Sequence, residues 1–278
     1  MSGLAMRELV DAHTHTELCG HATGSVSDLV RAACARGVST LGITEHYPLS
    51  PAFDPNGDSA MPASELPSYL EAIERARVEH PGIEILAGCE FDWLGEADDR
   101  GIEPADLERF ELVCASVHFI GTWPIDHPDL SMERWEVRGE ADGIWRDYFS
   151  LWCDAAACTR LPFHVMCHPD LVKKFGIYPS FRVDALYDDA VDAVLASDRM
   201  IETNASGTFC PCAEVYPAPD LLKRFASAGV PCTVGSDAHC PENVGRGISE
   251  ALRSMYAAGY RTVTVPTRDG DRREVELA

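Results

Sequence analysis

The feature that most constrains the fold is a repeated alternation of strand-like and helix-like segments joined by short connections. Such alternation favours parallel strands with helices outside them, either closed into a barrel or left as an open sheet. The predicted strands cover residues 8–13, 38–43, 83–88, 112–117, 163–167, 199–203, 231–235 and 261–265. The predicted helices cover residues 27–36, 64–79, 142–159, 183–197, 219–228 and 244–258.

Residues of the types that commonly bind metals follow most of these predicted strands. His13 and His15 lie two residues apart after the first strand, so both imidazoles face the same side of an extended backbone. In either topology functional residues gather at the carboxyl ends of the strands, where these side chains would meet. The other candidates are His21, Glu45, His46, Glu90, His118, His168, Glu202, Asn204, Asp237 and His239. Imidazoles and carboxylates together suit zinc, iron or manganese.

The charge balance restricts the partners of this chain. A formal net charge of −22 argues against nucleic acid, since a duplex binder needs a basic footprint. An anionic substrate would be repelled at long range unless bound cations reversed the local field. A phosphoryl substrate would therefore need metal ions.

The cysteines and the hydropathy pattern indicate a cytoplasmic protein. No signal peptide and no apolar run of about 20 residues is apparent, so we expect no membrane partner. Most of the eleven cysteines lie in apolar segments, which is typical of reduced core cysteines. Cys210 and Cys212 leave a redox or metal pair as an alternative.

The motifs at the strand ends resemble those of the polymerase-and-histidinol-phosphatase (PHP) family, and more narrowly its monofunctional histidinol-phosphate phosphatases. The resemblance runs from residue 9 to about residue 260, and residues 116–128, 168–176 and 214–217 carry the narrower match. The motifs are Asp-Ala-His-Thr-His at 11–15, Thr-Glu-His at 44–46, Gly-Cys-Glu at 88–90, Ser-Val-His-Phe-Ile at 116–120, His-Pro-Asp-Leu-Val-Lys-Lys-Phe-Gly at 168–176 and Gly-Ser-Asp-Ala-His at 235–239.

The resemblance implies one domain over residues 1–278, folded as a distorted seven-stranded (β/α) barrel that carries three divalent metal ions. One ion would take His13, His15, Glu90 and Asp237. Glu90 would bridge to a second ion, held also by His118 and His168, and the third would take His21, His46 and His239. The implied reaction is hydrolysis of a phosphate monoester, with L-histidinol phosphate as the first candidate. When bound, such ions would lower the pKa of coordinated water and so supply a nucleophile near neutral pH.

Residues beyond the metal ligands leave several alternatives open. Glu45 and Asp170 are candidates for the group that protonates the leaving alkoxide, or for a role in orienting neighbouring histidines. Lys173 or Lys174 matches a basic residue of the phosphatases, and we predict that Lys173→Ala raises the Michaelis constant. Those enzymes commonly carry a second basic residue shortly after Asn-x-x-Gly, which residues 204–210 lack. Arg246 is a candidate replacement, or a solvated helix residue.

Further alternatives concern an amine on the substrate and the reaction class. Glu202 and the acidic residues 96–108 could receive an amine, although acidic loops are usually only solvated. His80, His127 and His164 do not fit the pattern, and we expect them to bind no metal. A PHP phosphodiesterase and a non-catalytic metal-binding module are the competing functions. The acidic charge disfavours the first, and the full set of ligand residues disfavours the second. The oligomeric state is left open.

Overall fold

The computed structural model describes residues 8–95 and 102–277, in which strands and helices alternate as expected. The strands are β1 (Leu9–Asp11), β2 (Val38–His46), β3 (Glu84–Asp92), β4 (Leu112–Ser116), β5 (Phe119–Ile120), β6 (Trp123–Pro124), β7 (Val165–Met166), β8 (Met200–Asn204), β9 (Cys232–Gly235), β10 (Thr262–Pro266) and β11 (Arg272–Glu276). The helices are α1 (Val26–Arg36), α2 (Leu66–Glu79), α3 (Pro104–Leu107), α4 (Met132–Trp135), α5 (Glu140–Ala157), α6 (Asp184–Leu195), α7 (Pro219–Ala228) and α8 (Ile248–Ala258).

Seven strands form one parallel sheet in the order β1-β2-β3-β4-β7-β8-β9. Backbone hydrogen bonds then join its two edges, because the amide of Ala12 donates to the carbonyl of Val234 at 2.9 Å. The amide of Asp237 likewise donates to the carbonyl of His13 at 2.9 Å. These bonds close the sheet, so the predicted (β/α)7 barrel is confirmed and the open-sheet alternative is wrong.

Local sequence signals explain where the first helix begins and ends. Ser25 caps α1, and its backbone amide donates to the Asp28 carboxylate at 2.9 Å while its hydroxyl receives the Asp28 amide at 3.3 Å. This reciprocal pair satisfies two amides that the first turn leaves free. Gly37 ends the helix with a φ of +74°, a left-handed conformation that favours glycine.

Two strands extend further toward the carboxyl end of the barrel than the apolar runs predict. β2 includes His46 and β3 continues through Glu90 to Asp92. Their register pairs His46 with Glu90, so the pairing of the two strands continues beyond the end of their apolar residues. The polar ends of these strands are therefore part of the paired sheet, like their apolar centres.

The last predicted strand does not join the barrel. Residues 261–265 correspond to β10, which pairs antiparallel with β11, a strand that the sequence analysis did not identify. Arg273 on β11 reaches the Thr40 hydroxyl at 2.8 Å and Glu84 at 3.4 Å, near the amino-terminal ends of β2 and β3. Alternating apolar residues indicate a strand, but they do not identify its partner.

The insertion at residues 121–140 contains the end of a small hairpin and a short helix. β5 pairs antiparallel with β6, and α4 follows. The amide of Ile125 donates to the carbonyl of His118 at 2.8 Å, and the indole of Trp135 donates to the carbonyl of Ile125 at 2.8 Å. These bonds fix the insertion over the carboxyl end of the barrel.

The core and the cysteines agree with a tightly packed α/β barrel. Trp145 and Trp152 on α5 are buried, and all eleven cysteines are free. Six of the eleven are buried, whereas Cys34 is exposed. The thiols of Cys210 and Cys212 contact backbone carbonyls at 3.6 and 3.4 Å.

Among the described helices, none combines the length and the apolar character that a bilayer span requires.

Candidate metal centre

The Glu90 carboxylate lies at the centre of a cluster of imidazoles at the carboxyl end of the barrel. It is 1 % exposed and accepts a short hydrogen bond from the Ser116 hydroxyl. The distances from a Glu90 carboxylate oxygen to a ring nitrogen are 3.5 Å for His13, 3.6 Å for His15, 3.1 Å for His46, 3.9 Å for His118 and 2.8 Å for His168. Five histidines from four different strand ends thus face one carboxylate.

Backbone conformation aims several of these side chains. An isolated bridge pairs Thr14 with Ala238, which places the His13–His15 segment beside the Asp237–His239 segment. His168 and Asp237 have φ values of +28° and +56°, in the left-handed region that residues with a side chain seldom adopt. Such backbone strain concentrates at functional sites, where the surrounding fold holds it in place.

The predicted ligands form overlapping groups whose donor atoms lie within 4.8 Å of one another. His13, His15 and Glu90 form one group, and Asp237 lies 3.3 Å from the Nε2 of His15. Glu90, His118 and His168 form a second group, which shares the Glu90 carboxylate with the first.

The third predicted set is grouped differently. His46 and His239 come together with His15, whose ring stacks on theirs at centroid distances of 4.2 and 4.3 Å. His21 lies slightly farther out, with its ring 5.2 Å from that of His46 and 5.0 Å from that of His239. It remains on the open side of this group, next to the cavity described below.

Hydrogen bonds to Nδ1 orient the rings of four histidines in the cluster. Nδ1 of His13 lies 2.9 Å from Glu202, and Nδ1 of His118 lies 2.9 Å from Asp92. Backbone carbonyls take the same role for His21 and His239, at 2.9 and 3.0 Å. A partner on the far nitrogen fixes the ring and the tautomer that a metal ligand needs.

The protonation states also favour metal binding. Burial opposes ionisation of Glu90 and Asp237, but the charge of His13 outweighs it and holds the pKa of both carboxyls well below the ordinary range. Burial also lowers the pKa of His46, and it lowers the pKa of His239 to about 4. These two imidazoles are therefore neutral at pH 7 and have a free lone pair for a cation.

The donor set fits divalent ions. The Nε2 atoms of His13 and His15 converge to 2.9 Å, close to the separation of two donors on one ion. Burial disfavours a charge on His15, but Asp237 and Glu45 outweigh it and raise its pKa to about 9. Positive charge at this point therefore stabilises the buried carboxylates, and divalent cations neutralise their charge more completely than bound protons do.

Sequence comparisons identify the family. The PHP domain family matches residues 11–206, and a PHP-associated family matches residues 222–254. The chain belongs to the PHP family. A Deinococcus radiodurans protein named as a probable histidinol-phosphatase is 36 % identical over 260 residues, covering 93 % of this chain and 97 % of that protein. The histidinol-phosphatase of Bacillus subtilis is 25 % identical, covering 84 % of this chain and 95 % of that protein.

A solved structure shares the fold. The histidinol phosphate phosphatase of Lactococcus lactis, complexed with zinc, L-histidinol and phosphate, matches with a TM-score of 0.74 at 19 % identity. The match covers 94 % of this chain and 97 % of that chain. At this identity the likeness shows a common fold.

A cavity of about 530 Å³ opens onto the cluster. The barrel supplies the ligand side, and the insertion supplies Pro124, Asp126, His127 and Pro128 on another side. Among residues 8–95 and 102–277, Lys174 is the only lysine or arginine that lines it. A small phosphate ester fits a cavity of this size.

The other predicted substrate contacts lie elsewhere. Lys173 is fully buried and pairs with Asp170 at 3.0 Å and Glu214 at 3.2 Å. Arg246 is exposed and stacks on the Phe209 ring at 3.6 Å. Neither of these cations lines the cavity, so of the three predicted contacts the structure brings Lys174 alone to it.

The two candidate acids are both enclosed by the protein. Glu45 is fully buried, receives the Thr16 amide at 2.9 Å and lies 3.8 Å from Nδ1 of His15. Asp170 is also fully buried and receives the Ala218 amide at 2.7 Å. Since neither lines the cavity, their contacts suit orientation of neighbouring groups.

Three acidic residues of the site were not identified from the sequence. Asp92 holds His118, and Asp126 lines the cavity. Asp11 accepts the amides of Ser236 and Gly245 at 2.8 and 2.7 Å, which fixes the segment before Asp237. Asp92 could have been found, because it lies two residues after Glu90 on one strand and therefore on the same face.

The remaining histidines lie apart from the groups of donors. His164 receives the Val113 amide at 2.9 Å near the start of β7, and His80 lies 3.9 Å from the Cys34 thiol. His127 lines the cavity, with its Nδ1 receiving two amides of its own loop at 3.2 Å. Residues 96–101 of the acidic stretch lie outside the described residues.

Proposed function

We propose that this PHP protein is a metal-dependent phosphomonoesterase that hydrolyses L-histidinol phosphate to L-histidinol and phosphate. The single observation that carries the proposal is the Glu90 carboxylate, surrounded by five imidazoles at 2.8 to 3.9 Å beside an open cavity. The names of the relatives from Deinococcus radiodurans and Bacillus subtilis support the choice of substrate. The reaction would then serve histidine biosynthesis.

We propose that the site holds three divalent ions, each of them zinc, iron or manganese. The first would be held by His13, His15, Glu90 and Asp237, and the second by Glu90, His118 and His168. The third would be held by His21, His46 and His239, with His15 close enough to share it. When bound, such ions lower the pKa of coordinated water and offset the charge of a phosphoryl group.

The chain's own groups orient these ligands and the substrate. We assign Glu202 and Asp92 to the orientation of His13 and His118, and Glu45 to the orientation of His15. Lys174 would contact the phosphoryl oxygens from the cavity wall. Because Glu45 is enclosed by Thr16 and His46, we assign it no proton transfer to the leaving group.

We propose further that the chain works as one unit in the cytoplasm. Predicted ligands come from both parts of the chain, since His13 lies in the PHP domain match and Asp237 lies in the PHP-associated match. The free state of all eleven cysteines supports a reducing compartment.

Steady-state kinetics with metal analysis tests the proposal. The metal-loaded protein is assayed on L-histidinol phosphate, a panel of other phosphate monoesters and a phosphodiester. We expect the highest kcat/KM with L-histidinol phosphate and about three equivalents of metal. Cleavage of the diester in preference to monoesters would indicate a phosphodiesterase. Stoichiometric metal without turnover of any ester would indicate a binding module.

A further inference from the structure

We propose that Asp126 is a positioning residue that holds the Lys174 ammonium against the phosphoryl group of the substrate. The inference rests on the proposed phosphatase function and gives Asp126, which lies in the 116–128 motif, a role that the sequence analysis did not assign. Its basis is an ion pair inside the cavity, with Nζ of Lys174 2.8 Å from Oδ2 of Asp126. The two side chains are 26 % and 22 % exposed.

Within the described residues, no second lysine or arginine lines the cavity beside Lys174. Lys173 turns away into its own pair with Asp170, and Arg246 stacks outside the cavity. The stretch after Asn204 carries no basic residue, and Cys210 lines the wall beside Lys174 there. The position of the Lys174 ammonium therefore decides how well the protein binds the phosphoryl oxygens that face away from the metal ligands.

A lysine needs such a partner because its charge stands on a flexible four-carbon stem. One carboxylate bond leaves two N–H donors of the ammonium free for phosphoryl oxygens. It also spares the substrate the cost of ordering the stem, which is the usual benefit of preorganisation. The ionisation states agree with this role. Burial opposes charge on Asp126, but Lys174 and His118 outweigh it and lower the pKa of that carboxyl to about 2.

Both partners stand on fixed backbone. Asp126 follows Ile125, whose amide and carbonyl bond His118 and Trp135, each at 2.8 Å. The amide of Lys174 donates to the Leu171 carbonyl at 2.9 Å, and its carbonyl receives the Cys212 amide at 3.1 Å. Residues 48 apart in the chain thus meet because the insertion and the turn after β7 are both anchored. Hydrogen bonds thus hold the backbone on both sides of the pair.

A double-mutant cycle on phosphate binding tests the inference. Asp126→Asn, Lys174→Met and the double variant are loaded with metal, and the Kd of inorganic phosphate is measured by calorimetry. We expect Lys174→Met to raise the Kd about tenfold, and Asp126→Asn to raise it about threefold to tenfold. In the Lys174→Met background, Asp126→Asn should have no further effect. Asp129→Asn is the control, because Asp129 is exposed in the same insertion and does not line the cavity.

Two binding results would overturn the inference. One is an unchanged phosphate Kd in Asp126→Asn; if the KM for L-histidinol phosphate rises at the same time, Asp126 contacts the alcohol part of the substrate. The other is a full additive effect on top of Lys174→Met. Metal content is measured for each variant, and metal loss in Asp126→Asn would also count against a role through Lys174. Because the readout is binding, it stands apart from the turnover assay that tests the proposed function.

Discussion

The two sides of the cavity are built in different ways. On the barrel side, His46 and Glu90 are paired residues of neighbouring strands, and backbone hydrogen bonds hold both. On the other side, Asp126 and Lys174 come from an insertion and a turn, and an ion pair joins the two side chains. The barrel side is set by strand register, whereas the other side depends on how two connections pack.

We infer from this difference that the barrel side carries the chemistry and that the other side serves substrate recognition. The carboxyl ends of parallel strands are where unrelated barrels place reactive groups, and the loops between them vary. In this protein the barrel end carries the predicted ligands, and the other side carries Lys174, the one lysine that lines the cavity among the residues that the structure describes. The predictions below test that division, from the largest expected effect to the smallest.

Glu90→Gln should have the largest effect because the carboxylate lies between two groups of predicted ligands. We expect loss of bound metal and a fall in kcat/KM of about a thousandfold or more. Metal analysis and kinetics on one preparation measure both. Full metal content in this variant would refute the bridging role of Glu90.

Lys173→Met tests the opposite behaviour of two adjacent lysines. Removing Lys173 leaves the buried Asp170 carboxylate without its cation, so the free energy of unfolding should fall by about 3 kcal/mol. Urea unfolding measures this, with Lys223→Met on the exposed face of α7 as the control. The folded variant should keep its KM for phosphate esters. An unchanged KM would contradict the sequence-based prediction that Lys173 contacts the substrate. A raised KM in fully folded protein would support that prediction.

Asp92→Asn tests whether orientation of a ligand matters as much as its presence. The amide no longer provides a charged acceptor for Nδ1 of His118, and we expect metal affinity or activity to fall about 10-fold to 100-fold. Competition with a chelator measures the affinity. Glu84→Gln, at the other end of the same strand, is the control and should retain its metal.

His164 provides a pH test at the end of the barrel away from the cluster. Burial, Arg272 and Arg199 lower its pKa to about 4, so the folded state keeps the ring neutral. Its stabilisation is complete above the unfolded pKa of about 6.5 and is lost as the pH falls toward 4. Between pH 7 and 4.5 the unfolding free energy of the wild type should fall by about 2 kcal/mol more than that of His164→Asn. Equal losses would exclude this role for His164.

Arg246→Ala should have the smallest effect. The guanidinium stacks on Phe209 and bonds Asn243 at 3.2 Å outside the cavity. We expect the KM for L-histidinol phosphate to change by less than about twofold. A larger rise would mean that this side of the protein takes part in substrate binding.

Local signals accounted for the alternating strands and helices and for the position of the predicted ligands along the chain, whereas the closed barrel was implied by the resemblance to the PHP family. Alternation of strands and helices predicted the parallel sheet, and Asp28 and Gly37 marked the ends of the first helix. The polar residues after each strand indicated where the donors would gather. These features follow from periodicity and capping, which act over a few residues.

Only the tertiary structure decided which neighbours face the same space. Lys173 and Lys174 are adjacent and chemically alike, yet one is sealed in the core and the other lines the cavity. Asp126 and Lys174 meet across 48 residues, and β10 pairs with β11 instead of joining the barrel. Such choices depend on packing between distant segments, and no local pattern of apolar and polar residues records them.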